Sequence, residues 1–107
     1  MNAMISVNPA TGKVNGEFEM HSPEEVDAIL KKAGEAFLEW SSLAAAERAV
    51  YLEEVAAVLR KEKQELAETI TREMGKPIKQ ALPEVEKCAT MFDYFAENIE
   101  SLMEPEV

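Results

Sequence analysis

Two side chains in this 107-residue sequence have the chemistry of a nucleophile or a metal ligand, and each residue type occurs once. Cys88 falls at helical spacing with Val85 and Phe92, and a cysteine on such an apolar face usually behaves as an inert small hydrophobe. His21 has no neighbouring cysteine or second histidine with which it could bind a metal. We therefore predict that His21 is a surface loop residue and that Cys88 is not catalytic. An independent enzyme that uses Cys88 is the alternative, and it would lose its activity in a Cys88→Ser variant.

Pairs of carboxylates form the second group of residues that could do chemistry. A general acid needs a pKa raised by burial, whereas these pairs fall among other charged residues on polar helix faces. We predict a solvated face for each pair. The pairs are Glu24/Glu25, Glu53/Glu54 and Glu84/Glu86.

Two basic stretches have the composition of an anion site. Gly12-Lys13 lacks the spaced glycines and the Ser or Thr of a phosphate-binding loop. The residues from Arg60 to Lys63 fall near the predicted end of a helix, where basic side chains complement the negative end of the helix dipole. We predict a solvated helix end there. The residues thus predict no catalytic, cofactor-binding or metal-binding site in this chain.

The elements that hold these residues are organised around the stretch from Glu73 to Pro77. Apolar residues recur at steps of three or four on both sides of it, which is the period of one helix face. Gly75 can take the left-handed conformation that closes a helix, and Pro77 lacks an N–H where a new helix has no partner for one. One helix is therefore predicted to end here and the next to begin. Pro83 is expected either in the first turn of that next helix or as a kink within it.

The N-terminal residues predict a small β-hairpin over residues 5–20. Turn residues from Asn8 to Gly12 separate a short β-like run from a loosely alternating one. Two strands alone are marginal in water, so this hairpin needs a helix or a sheet to lie on.

Four helices complete the prediction, over residues 22–40, 44–63, 64–74 and 77–103. The first begins at a capping box of Ser22 and Glu25 with Pro23 in the first helical position. We expect Trp40 to be a core anchor, and a close helix contact would explain Gly34 within this helix. The apolar face comprises Val26, Ile29, Leu30, Ala33, Phe37 and Trp40. The predicted fold class is mainly α, with about four helices and a short N-terminal hairpin.

Composition and charge restrict the class of protein. Apolar content of 47% and charged content of 30% are typical of a globular domain, and the length suits a single domain over residues 1–107. A net charge of −10 argues against nucleic acid and anionic membranes as partners. The start of the chain lacks a signal-peptide pattern, and one cysteine cannot form an internal disulfide. We expect a cytoplasmic protein.

Four stretches, in order along the chain, together resemble the N-terminal region of the aldehyde dehydrogenase superfamily. The stretches are Asn8 to Gly12, Ala33 to Trp40, Glu47-Arg48 with Leu52 and Leu59, and Glu73 to Pro77 followed by Ala81, Glu84, Val85 and Phe92 to Glu97. The similarity is nearest to succinate-semialdehyde dehydrogenase. It covers only the first fifth to quarter of such an enzyme.

The resemblance implies a partial cofactor-domain fold and a fragment of an enzyme that oxidises an aldehyde to its acid with NAD or NADP. In the complete enzymes the catalytic cysteine, the general-base glutamate, the oxyanion-binding asparagine and the turn under the cofactor all lie downstream. The resemblance therefore implies that this chain binds no cofactor and does not catalyse the reaction alone. It also implies that the stretch from Leu82 to Phe95 helps to wall the substrate tunnel. A stand-alone helical interaction module is the alternative.

The resemblance also has a consequence for the surface of this chain. Helices shaped to lie against a missing sheet should expose an apolar patch, and large patches usually bind a partner. We expect that partner to be a second copy of the chain or the remainder of the enzyme.

Overall fold

The computed structural model describes residues 2–107, which form a two-stranded hairpin followed by four helices. The strands are β1 (Ala3–Val7) and β2 (Val14–Glu19), paired antiparallel. The helices are α1 (Pro23–Ser42), α2 (Ala45–Lys61), α3 (Lys63–Met74) and α4 (Ile78–Leu102). The predicted fold class, mainly α with an N-terminal hairpin, is confirmed. No helix within residues 2–107 is long and apolar enough to cross a membrane.

The hairpin turn is built by the residues that predicted it. The Asn8 side-chain oxygen accepts from the backbone N–H of Ala10 at 2.9 Å, and the Asn8 carbonyl accepts from Gly12 at 2.8 Å. Gly12 has a φ of 73°, which a residue with a Cβ rarely adopts. The turn therefore depends on asparagine at its start and glycine at its end.

The hairpin lies on the C-terminal end of α3. Ser6 Oγ donates to Glu73 Oε1 at 2.9 Å, and Asn15 Nδ2 donates to the Arg72 carbonyl at 2.9 Å. The second bond satisfies a carbonyl in the last turn of α3, where intrahelical donors run out. The support that an isolated hairpin requires is thus supplied by the joint between α3 and α4.

The joint closes α3 as predicted. Gly75 is the C-cap in the left-handed conformation, with φ 74° and ψ 11°, and its N–H donates to the Thr71 carbonyl at 3.0 Å. A Cβ at Gly75 would lie 3.0 Å from Pro9 Cγ, so the hairpin turn also needs glycine here. Pro77 was predicted as the first helical residue but is the extended N-cap of α4. Pro83 lies inside α4 rather than in its first turn.

Helix α1 begins at the predicted capping box. The Glu25 N–H donates to Ser22 Oγ at 3.2 Å, and the Ser22 N–H donates to Glu25 Oε2 at 2.7 Å. The helix continues to Ser42, beyond the predicted end at residue 40. The second helix ends at Lys61 rather than at residue 63, because α3 already begins at Lys63.

Alanines line the interface at which α2 and α3 pack on α4. The buried residues are Ala49 and Ala56 of α2, Ala67 of α3, and Ala81, Val85, Ala89 and Ala96 of α4. Small side chains let helix axes approach closely, but each buries little apolar area. No large side chain is fully buried in the described chain.

Helix α1 packs scarcely at all on the other elements, and it contains no buried residue. Two predictions for α1 are therefore wrong. Trp40 is 40% exposed rather than a core anchor. Apart from the backbone of its own helix, nothing lies within 4 Å of the position that a Cβ on Gly34 would take. Both predictions assumed a neighbouring element that these residues do not provide.

Candidate functional site

Cys88 lies at the rim of an apolar cleft between α2, α3 and α4. The side chain is exposed, although its spacing predicted a place on the buried face. The buried stripe of α4 runs through Ala81, Val85 and Ala89, and Cys88 lies beside this stripe. The cleft has a volume of about 260 Å³ and is lined by Leu59, Leu66, Thr69, Ile70, Glu84, Val85 and Cys88.

His21 is exposed in the loop before α1, as predicted. Its Nδ1 atom lies 3.6 Å from Glu25 Oε2. Residues 2–107 contain no group of three or more His, Cys, Asp or Glu side chains that could hold a metal ion. The surroundings of His21 thus amount to one contact with the carboxylate that caps α1.

Two of the paired carboxylates, Glu25 and Glu86, have environments opposite to that of a general acid. A hydrogen bond from the Ser22 backbone N–H lowers the pKa of Glu25. A hydrogen bond from Arg60 lowers the pKa of Glu86. Glu84 pairs with Lys76. The hydrogen bonds to Glu25 and Glu86 favour the ionised carboxylates, whereas a general acid needs a raised pKa.

The basic stretch at the end of α2 forms ion pairs between helices. Arg60 Nε lies 2.9 Å from Glu86 Oε1, and Arg60 Nη2 lies 2.7 Å from Asp93 Oδ2. Lys63 Nζ lies 3.7 Å from Glu86 Oε2. The predicted helix end is observed, with Arg60 and Lys61 in its last turn. The ion pairs were not predicted, because periodicity along α2 does not reveal the acidic residues that α4 places opposite.

The N-termini of α1 and α2 do not fit a dinucleotide phosphate. Free backbone N–H groups at a helix start bind phosphate. At α1, the Glu25 carboxylate accepts from the Ser22 N–H at 2.7 Å. At α2, the Glu47 carboxylate accepts from the Ala44 N–H at 2.8 Å. A carboxylate of the chain itself thus caps the start of each of these two helices.

Large apolar side chains are exposed along α1 and along one strip of α2. The two sets meet where the rings of Trp40 and Tyr51 stand edge to face, with centroids 5.2 Å apart. A cleft of about 800 Å³ opens at this contact, and Phe37 and Leu43 contribute to its lining. We name this the α1–α2 surface, and it comprises Val26, Ile29, Leu30, Ala33, Phe37 and Trp40 of α1 with Tyr51, Val55 and Val58 of α2.

The α1–α2 surface confirms that the chain exposes an apolar patch. The sequence predicted an apolar face on α1 but placed it in the core, and it did not reveal the α2 half. The signal was available, because Tyr51, Val55 and Val58 recur at helical spacing and form a stripe distinct from the Leu52, Ala56 and Leu59 stripe. A second apolar cleft, of about 430 Å³, lies near the C-terminal half of α4. It is lined by Leu52, Met91, Phe92, Phe95, Ile99, Leu102 and Met103. These features suit binding of another apolar surface.

Relatives with known names resemble the whole chain. It is 39% identical over 105 residues to a probable NADP(+) succinate-semialdehyde dehydrogenase of Synechocystis sp., a match that covers 98% of the chain and 23% of the relative. It is 41% identical over 104 residues to an NADP(+) succinate-semialdehyde dehydrogenase of Mycobacterium avium, a match that covers 96% of the chain and 22% of that relative. The chain therefore spans less than a quarter of the length of these relatives.

Solved structures match the fold over the same extent. A structure of the Gox0499 protein, described as informing cofactor and substrate selection, aligns with a TM-score of 0.92 and 28% identity, over 98% of this chain and 23% of that one. The HpcC protein of Thermus thermophilus aligns with a TM-score of 0.90 and 33% identity, over 98% of this chain and 20% of that one. The sequence model of the aldehyde dehydrogenase family matches residues 2–107. The chain belongs to the aldehyde dehydrogenase family.

Proposed function

We propose that this chain is the N-terminal part of an NAD(P)-dependent dehydrogenase that oxidises an aldehyde to its carboxylic acid. The observation that carries the proposal is the family match over residues 2–107, together with relatives named as succinate-semialdehyde dehydrogenases at 36–41% identity. Succinate semialdehyde is therefore the proposed substrate, and NAD or NADP the proposed cofactor. The relatives' names include both NADP(+) and NAD(P)+.

The proposed role of these residues is structural support of the longer enzyme. The radius of gyration of the chain is 18.4 Å, whereas a compact domain of this length has about 13 Å. Helix α1 scarcely packs on the alanine-lined core. A backbone so similar to much longer dehydrogenases supports the idea that the remainder of the enzyme covers the α1–α2 surface.

We expect the 107-residue chain to be inactive by itself. The resemblance places the nucleophile, the general base and the cofactor turn downstream, and Cys88 has no proposed role in the reaction. We also propose that nucleic acid and anionic membranes are not partners, since the net charge is −10. The single cysteine supports a cytoplasmic location.

A chimera tests the proposed function. The N-terminal segment of the M. avium enzyme that this chain matches is replaced by residues 2–107, and NADP-dependent oxidation of succinate semialdehyde is measured. We expect activity in the chimera and none in the matched control, the same enzyme with that segment deleted. A chimera that unfolds cooperatively yet oxidises no aldehyde would overturn the proposal.

A stand-alone interaction module is the second candidate function, and the α1–α2 surface is the observation that favours it. Mixing the 107-residue chain with the separately produced remainder of the M. avium enzyme distinguishes the two. Regained dehydrogenase activity supports the enzyme part, and absence of any association counts against both candidates.

A further inference from the structure

A β-bulge interrupts the ladder between β1 and β2. Ser6 pairs with Gly16, and the next residue of β1, Val7, pairs with Val14. Asn15 is therefore an extra residue of β2 with no residue opposite it in β1. A bulge bends its strand and re-aims the side chain of the extra residue, so the amide of Asn15 is available to an element outside the ladder.

The Asn15 amide makes two hydrogen bonds. Its Nδ2 atom donates to the Arg72 carbonyl at 2.9 Å and to Ser6 Oγ at 3.2 Å. A side-chain amide has two N–H groups, so these two bonds use both of them. Because a backbone carbonyl can only accept, the bond to Arg72 also fixes which way round the Asn15 amide lies.

Ser6 extends this network to a second residue at the end of α3. Its hydroxyl accepts from Asn15 and donates to Glu73 Oε1 at 2.9 Å. Hydrogen bonds in such a chain polarise one another and become stronger together. Asn15 thus acts on the last turn of α3 twice, directly at Arg72 and through Ser6 at Glu73. We name Ser6 and Asn15 the hairpin clasp.

The hairpin clasp binds the residues that come just before the closure of α3. Gly75 closes this helix by donating its N–H to the Thr71 carbonyl at 3.0 Å. Pro9 Cγ of the hairpin turn lies 3.0 Å from the position that a Cβ on Gly75 would take. The next residue, Lys76, pairs with Glu84 in the second turn of α4. The hairpin, the end of α3 and the start of α4 therefore meet at one short segment.

We propose that Asn15 is a positioning residue for the joint between α3 and α4, and that its amide couples docking of the hairpin to the left-handed closure at Gly75. Loss of the amide releases the hairpin and the joint together, and movement of the hairpin reaches α4 through Lys76. Both partners of every contact in this network lie within residues 2–107. The inference goes beyond the proposed function and does not depend on which reaction the longer protein catalyses.

Hydrogen exchange of single amides, measured by NMR on the 107-residue chain, tests this coupling. Asn15→Ala removes both amide bonds at an exposed position, so the helices should still fold, which circular dichroism verifies. We expect the Gly75 amide to exchange about tenfold faster, as loss of one or two hydrogen bonds predicts. Amides around Val85 and Ala89 of α4 should keep their rates. Ser6→Ala leaves the bond from Asn15 to α3 in place and should give a smaller increase at Gly75.

Asn98→Ala is the matched control, because Asn98 Nδ2 also donates to a backbone carbonyl, that of Tyr94 at 2.7 Å, but does so within α4. This variant should leave exchange of the Gly75 amide unchanged. Two results in Asn15→Ala would overturn the proposal. One is an unchanged rate at Gly75, and the other is the same acceleration at Gly75 and around Val85, which would show a general loss of stability. An inactive chimera would not alter these exchange rates, so the proposed function and this coupling fail separately.

Discussion

Helices α1 and α4 have similar amphipathic patterns in sequence but opposite environments. The buried stripe of α4 is Ala81, Val85 and Ala89, and these residues are at most 4% exposed. The apolar face of α1 has Phe37 and Trp40, and no residue of α1 is buried. Periodicity identifies the apolar face of a helix, but it does not reveal what covers that face.

The size of the apolar side chains does distinguish the two helices. Alanines allow two helices of the same chain to approach closely, so α4 finds its partners within 107 residues. Large side chains on α1 need a thicker layer to cover them, and the elements present do not supply one. The difference separates a face that these residues cover themselves from a face that they leave exposed.

The largest expected change in stability comes from replacing an alanine in the buried stripe of α4 by a larger residue. Ala89 is fully buried, so Ala89→Leu should lower the free energy of unfolding by about 1–3 kcal/mol through overpacking. Urea denaturation followed by circular dichroism measures the change. Ala28→Leu on the exposed polar side of α1 is the control, with an expected change within about 0.5 kcal/mol. Equal effects at the two positions would contradict the contrast between the helices.

A smaller loss of folding stability is expected from a substitution at Gly75, in the joint that supports the hairpin. Gly75→Ala should lower the free energy of unfolding by about 1–2 kcal/mol, because alanine is strained in the left-handed conformation. The new Cβ would also press on Pro9. Gly12→Ala shares a positive φ but has open space around the Cβ position, so it isolates the backbone effect. A Gly75→Ala variant no less stable than Gly12→Ala would show that the contact with Pro9 is unimportant.

A substitution in α1 is expected to raise the free energy of unfolding rather than lower it. Gly34 is helical and has open space around its Cβ position, so Gly34→Ala should stabilise the helix by about 0.5–1 kcal/mol. The measurement is thermal unfolding of the diluted chain. Destabilisation would mean that another helix packs closely on Gly34, as the sequence analysis expected.

The smallest effect is expected at the ion pairs between α2 and α4. Because Arg60 lowers the pKa of Glu86 below its ordinary value of 4.5, the ionised carboxylate stabilises the fold above that value, and the contribution is lost as pH falls through the lowered pKa. Both side chains are about two-fifths exposed, so the contribution is small and screened by salt.

Glu86→Gln tests this ion pair. Its urea midpoint should fall slightly below that of the parent chain at pH 7, and the difference should disappear in concentrated salt and in acid. Glu53→Gln, which removes the same charge at an exposed position of α2, serves as control and should show no such dependence. A difference that persists in acid would assign the effect to packing.

Local signals predicted the parts of the fold that local physics determines. The capping box of Ser22 and Glu25 and the left-handed Gly75 were both predicted from residue type and spacing, because each depends on neighbours within a few positions. The places of Cys88 and Trp40 were not, since they depend on which element packs opposite. The Arg60 ion pairs were missed for the same reason.

In the candidate site too, features set by the local sequence were predicted and features set by packing between helices were not. The apolar face of α1 was predicted from its periodicity, but its exposure was not. The α2 half was missed because the long second helix carries two apolar stripes, one through Leu52 and one through Tyr51. Only the packing of α2 on α4 shows which stripe remains exposed.

Hydrogen exchange of α1 compared with α4 tests most directly the proposal that the remainder of the enzyme covers α1. The measurement uses the chain diluted until it is a single molecule, and the chimera with the M. avium remainder. In the dilute chain we expect rapid exchange of α1 amides and protection of amides around Ala81 to Ala96, because exposed helices open locally at low free energy. In the chimera both helices should be protected. Equal protection of α1 and α4 in the dilute chain would contradict the account.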